Sequence, residues 1–372
     1  MRFLAILCVV ILLSLAPPAR AEDHPAIRAA AANARLNQWS SALATVNTIG
    51  ECSPEDRARA LFLSGYCLYQ LERYSEAIPK LKEASRLHPP LSFHSLFYGA
   101  AAVNAFGDPA TAVGLFEHLL QANPPGDLRE RALMELLRVH RKGENPAGTT
   151  EVLDRLRTLP HHDPAYSLET EYTQAWTHAR QGDLTRARPI LLRLWKEEPD
   201  SFWADQAGDM LGPGGISERD RLERIRVMLK DDMGPEAVAE LNPLVAAAET
   251  SGPSSRLAAL YKLRAEAYLK KRAYDEALAD LGRAQAILPS EDYEITYNIA
   301  SAHDRAGRDD EALARYRDIW ERTPRSTFAS RTACRATAHG SVSAASASGT
   351  MPCLCLYFAM KVSATLSLRS GE

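Results

Sequence analysis

Net charge is nearly absent from this chain: 44 Lys and Arg stand against 47 Asp and Glu in 372 residues, a formal -3. A nucleic-acid binder carries a basic excess, so that class of partner is not expected. Long apolar runs are missing beyond the first 21 residues, so no later segment is expected to cross a membrane. Catalytic signatures are missing too. No Gly-rich loop ends in Lys-Ser/Thr, and neither His-Glu-x-x-His nor Gly-x-Ser-x-Gly occurs. Glu197 and Glu198 are adjacent on a helical pattern and diverge, which suits a charged face better than an acid/base pair. His161-His162-Asp163 lies in a Pro-bounded turn with no further ligands nearby, a solvated loop rather than a metal site. No catalytic residue, cofactor or metal is expected.

What is present begins with a leader. Arg2 is followed by the apolar run Phe3 to Leu15 and by Ala19-Arg20-Ala21, a small-x-small cleavage pattern ahead of Glu22. Residues 1–21 read as a secretory signal peptide, and Cys8 lies inside the run rather than at the cleavage point, which argues against a lipid anchor. The mature protein is expected to be exported, most simply to a periplasm. There Cys52 and Cys67 have the chance of a disulfide, although a mid-helix Cys67 more readily serves as packing.

Between residues 22 and 330 amphipathic helices recur in pairs with small residues where two backbones must approach. The clearest copy has Ala265, Ala277 and Ala284 at the crossings, Tyr261, Tyr268, Tyr274 and Leu281 as the bulk between them, and Pro289 as the stop. The next repeats this with Ala300, Ala312, Tyr316, Ile319 and Pro324, turning at Gly307. Earlier copies put Gly65 opposite Ala77, then Ala100 with Ala112, then Ala175 with Ala187, while Leu136 fills the small position of a looser copy. Gly212-Pro213-Gly214-Gly215 breaks the array, so 22–211 and 216–330 are read as two blocks of repeats. The alternation of helix pairs and breakers leaves no room for a sheet. After Ser330 the character changes. Residues 331–372 hold one acidic residue, Glu372, together with Cys334, Cys353 and Cys355. They read either as a disordered low-complexity tail or as out-of-frame translation, and Cys353-Leu354-Cys355-Leu356-Tyr357-Phe358 favours the second.

The step of 35 residues from Ala277 to Ala312 lies close to the 34 of a tetratricopeptide repeat, and the small-residue pattern resembles that family. The resemblance implies an all-α, right-handed α-solenoid whose ligand-facing positions lie on the first helix of each pair. Carried onto this chain those positions are Phe62, Tyr66, Tyr69 and Gln70; Phe97 and Asn104; Tyr172, Trp176 and Arg180; Lys262, Glu266 and Lys270; and Tyr297, Asp304 and Arg305. Phe62, Phe97, Tyr172 and Tyr297 recur at one offset. They either line a groove for an extended peptide or a glycan strand, or pack neighbouring repeats together, the commoner role of rings at helical spacing.

Leu192-Arg193-Leu194-Trp195-Lys196-Glu197-Glu198-Pro199-Asp200-Ser201 at a repeat junction, on an exported helical array, resembles the N-terminal superhelical region of the soluble lytic murein transglycosylases. That resemblance implies peptidoglycan as a ligand and, in an intact relative, a lysozyme-like catalytic domain. The family's Glu-Ser pair and downstream Gly-Leu-Met-Gln are absent, so no catalytic residue carries over. The expectation is an exported scaffold binding a protein or peptidoglycan on its concave face. The alternative is a truncated or frameshifted transglycosylase.

Overall fold

The computed structural model describes residues 24–160, 162–288 and 293–322. The signal-peptide reading of 1–21, the tail after Ser330 with its three cysteines, and His161, Pro289 and Pro324 lie outside the described residues. Seventeen α-helices and one 3-10 turn account for the architecture, with no strand among the described residues. The chain is all-α, as the pairing of helical patterns implies.

The chain divides between Leu191 and Leu192 into two compact units. In the first, α1 (Pro25–Arg35) pairs with α2 (Trp39–Val46), and α3 (Pro54–Gln70) with α4 (Tyr74–Leu87). Next α5 (Pro89–Phe106) pairs with α6 (Pro109–Gln121), and α7 (Gly126–Lys142) with α8 (Pro146–Arg157). The 3-10 turn Pro164–Tyr166 leads into α9 (Ser167–Arg180), and α10 (Leu184–Glu197) carries the division itself. The second unit continues with α11 (Phe202–Gly215), then α12 (Glu218–Lys230) with α13 (Gly234–Thr250). The pairs α14 (Ser255–Lys270) with α15 (Tyr274–Ile287) and α16 (Tyr293–Arg305) with α17 (Asp309–Arg322) complete it.

The turns inside the pairs share one backbone device. Asn37, Glu72, Gly107, Glu144, Gly182, Asp232, Arg272 and Gly307 all have positive φ, each between the two helices of a pair. A single left-handed residue stops the first helix and sends the chain back along itself. From Asn37 to Glu72 to Gly107 the step is 35 residues each time, and it is 35 again from Arg272 to Gly307. Between Gly182 and Asp232 it is 50, because α11 is inserted there without a mate in sequence. Within α11 the Gly-Pro-Gly-Gly break takes physical form at Gly212, whose φ of 64° and ψ of 172° kink the helix.

The small residues do what their positions demand. Ala77, Ala84, Ala100, Ala112, Ala277, Ala284, Ala300 and Ala312 are wholly buried where helices cross. At the crossing of α3 and α4 a Cβ added to Gly65 would come within 2.6 Å of Leu81 Cγ, one turn beyond the expected Ala77. Cys52 and Cys67 are both free thiols. Cys67 is fully buried in α3, and burial pushes its pKa up to about 12, so it is an inert packing residue.

Candidate functional site

In the first unit the first helices of successive pairs, α3, α5, α7 and α9, also touch one another directly. Their shared face carries a ladder of rings and charges. Phe62 and Tyr66 on α3 stack with centroids 6.2 Å apart, and Tyr66 meets Tyr98 of α5 edge-on at 4.7 Å. Tyr98 also contacts Tyr69 at 5.7 Å. From α7, Arg131 lays its guanidinium 4.6 Å from the Phe97 ring centroid and donates to the Tyr98 hydroxyl at 3.1 Å. Both contacts join α7 to α5, a cation–π and a hydrogen bond in one side chain.

The ladder continues two turns further along α7. Arg138 donates to both oxygens of Glu169 on α9, at 2.9 and 2.6 Å, and to Glu135 at 2.5 Å. Arg141 donates to Thr173 at 2.8 Å and to Glu169 at 3.3 Å. The Glu169 carboxylate is almost fully buried, and the fork of Arg138 matches its two oxygens, the geometry in which such a pair is strongest. Burial, and after it the charge of Glu135, pushes the Tyr69 hydroxyl well above its ordinary pKa. Burial, and after it the charge of Arg131, holds the His94 imidazole below its ordinary value. Both groups are therefore neutral near pH 7.

The residues expected on this face separate into two groups. Tyr66, Phe97, Tyr172 and Trp176 are buried between repeats, each with no more than 6% of its surface exposed. Phe62, Tyr69, Gln70 and Asn104 are half-buried on first helices, and Arg180 is exposed, pairing with Glu144 at 3.0 Å and lying over the Trp176 ring. In the second unit the expected cations bridge repeats: Lys262 pairs with Glu294, and Lys270 with Asp232. Tyr297 packs against Tyr316, whose hydroxyl donates to Asp304, while Glu266 and Arg305 are exposed. Glu130 holds the loop before α9 by accepting from His162 at 2.5 Å and from the Asp163 backbone at 2.9 Å.

Arg131, Glu135, Arg138, Arg141 and Glu169 escape a reading based on apolar spacing. Their signal is the interval from Arg131 to Arg138, two helical turns on one face, within a copy whose small position is filled by Leu136.

With this geometry in place the chain can be set beside known proteins. Residues 26–92 match a tetratricopeptide-repeat family model, and residues 169–201 match a second model of the same description. The chain therefore carries tetratricopeptide repeats, in α1 to α4 and again in α9 and α10. Among solved structures it is similar to a tetratricopeptide repeat protein from Parabacteroides merdae, at 15% identity over 74% of this chain and 97% of that one, with a TM-score of 0.40. It is similar to the C-terminal part of a TPR repeat-containing protein from Cytophaga hutchinsonii, at 15% identity, 82% and 98% coverage, and a TM-score of 0.37. The apo form of the quorum sensor NprR from B. thuringiensis gives 11% identity, 80% and 86% coverage, and a TM-score of 0.38. No curated protein matches the chain.

Proposed function

We propose that the face built by α3, α5, α7 and α9 holds an extended segment of a protein partner, and that the chain works as a binding scaffold. The observation that carries this reading is the continuity of the ladder. The half-buried rings Phe62 and Tyr69 of α3 pack on Tyr98 of α5, and the half-buried Arg131, Glu135, Arg138 and Arg141 of α7 carry the face on to Glu169 of α9, so contacts run across four first helices. An extended peptide presents alternating backbone donors and acceptors with side chains between them, which suits such a surface. A glycan strand is the weaker fit, because Phe97, Tyr172 and Trp176, rings on which sugars would stack, are buried. The resemblance to a transglycosylase helical region keeps peptidoglycan as the second ligand to test. The leader-like residues 1–21 support placement of the scaffold in the cell envelope.

The test is photo-crosslinking in the native envelope. Benzoylphenylalanine placed at Gln70 or at Asn104 should give discrete protein adducts, whereas the same group at Lys82, on a second helix, should not. Adducts of equal yield from all three positions, or from none, would overturn the peptide-face reading. Co-sedimentation with purified sacculi that is lost in Gln70→Ala/Asn104→Ala would replace it with the glycan reading.

A further inference from the structure

Helix α11 stands outside the pairing that governs the rest of the chain. Its buried residues are alanines, Ala204 and Ala207, so it contributes little bulk to the core. On that side it lies close against Trp195: a Cβ at Gly208 would sit 2.9 Å from the Trp195 ring. Arg224 of α12 stacks on that same ring at 4.7 Å and donates to the carbonyls of Trp195 and Pro199 and to Glu240. The seat under α11 is therefore a platform held by several contacts from Arg224. Ser201 caps the helix, accepting from the Ala204 backbone at 3.0 Å.

The opposite side has a different composition. Phe202 keeps 64% of its surface in solvent, among the most exposed large apolar residues described. Asp205 and Asp209 follow at three and seven residues, the spacing of a single helical stripe, and both are exposed. Asp200 is exposed just before the cap. None of these three aspartates forms an ion pair among the described residues, in a protein where carboxylates are routinely matched by arginine. Trp203 meets the Phe202 ring edge-on, with centroids 5.0 Å apart. An aromatic held outward costs free energy in water, and the like charges of Asp205 and Asp209, one turn apart on the helix, repel each other.

We propose that this stripe of α11 is a second docking surface, distinct from the α3–α9 face, and that its occupant is a basic amphipathic segment of a protein partner. The chemistry sets the match. An apolar side chain covers Phe202, and Lys or Arg one and two turns along the same segment meet Asp205 and Asp209. Like charge repels an acidic peptide, and nucleic acid and anionic bilayers are repelled on the same ground.

The experiment uses the full chain and a labelled 14-residue Leu/Lys amphipathic peptide, read by fluorescence anisotropy. Binding is expected, and it should weaken several-fold between 50 and 300 mM salt because the ion pairs are exposed. Phe202→Ser/Asp205→Asn/Asp209→Asn should weaken it by about tenfold, the equivalent of about 1.4 kcal/mol. The control Asp231→Asn/Glu236→Gln removes the same charge from exposed positions in the turn after α12 and on α13 and should leave binding unchanged. Circular dichroism melts of both variants, expected to match the parent, confirm that only the surface has changed. Equal weakening by the control, no weakening by the α11 variant, or comparable binding of a Leu/Glu peptide would each overturn the proposal.

Discussion

Asp280 shows how a single residue holds a repeat together. Only 1% of it is exposed, and Arg264 grips its two oxygens at 2.6 and 2.8 Å while Arg283 adds a third contact at 2.9 Å. Arg264 comes from α14 and Asp280 from α15, so the pair spans the two helices of one repeat. Arg224 and Glu240 do the same between α12 and α13, with the same interval of 16 residues. A buried charge stripped of its partner costs far more than the pair itself contributes. Asp280→Ala should therefore lower stability by about 3 kcal/mol in urea unfolding. The joint replacement Arg264→Met/Asp280→Leu should cost clearly less, and an equal cost would show that packing rather than charge dominates there.

At the scale of the element, the unit of construction is the helix pair, and what limits it is the distance between two backbones. Gly65 marks a close crossing in the first unit: a Cβ there would run into the fully buried Leu81, with no space for even a methyl group. Gly65→Leu should force α3 and α4 apart, with a loss of roughly 3 kcal/mol and a melting temperature lower by on the order of 5–10 °C. An unchanged melting curve would mean that the close approach is not maintained in solution. The left-handed turn residues are the other half of the element. Five of the eight turns use Asn, Asp, Glu or Arg rather than glycine, so the geometry is imposed by the packing of the pair and not by a permissive residue.

For the whole molecule, pH is the variable that acts on many elements at once. Burial holds His94 and His140 below their ordinary pKa, with Arg131 adding to the effect at His94; burial and then Arg308 do the same for His303. An unfolded chain takes up protons on these groups near pH 6.5, where the folded chain still resists them. Stability from this source is fully present above about pH 6.5 and is lost as the pH falls below it. The melting temperature should be level between pH 7 and 8 and should decline from pH 6.5 to 5. In His94→Phe the decline should be shallower, and a profile as steep as the parent's would remove His94 from the account.

The helix pairs, their order, the small residues at the crossings and the break at Gly212 are determined by the sequence by itself. Each follows from local spacing: a 3.6-residue apolar period, an alanine or glycine at a fixed offset, a breaker between helices. The candidate face was legible only in part for the same reason. Phe62, Tyr69, Gln70 and Asn104 fall on first helices by spacing, but spacing is silent on how deeply a ring is buried, and Phe97 and Tyr172 prove to be packing residues. The Arg138–Glu169 fork joins residues 31 apart, and the Gly65–Leu81 contact joins two helices across a turn. The tertiary structure alone decided these, because which side chains meet depends on the rotation of one helix against the next. It also decided that α11 stands without a mate, with its aromatic and acidic stripe in solvent, since pairing belongs to the packed array and not to any one helix.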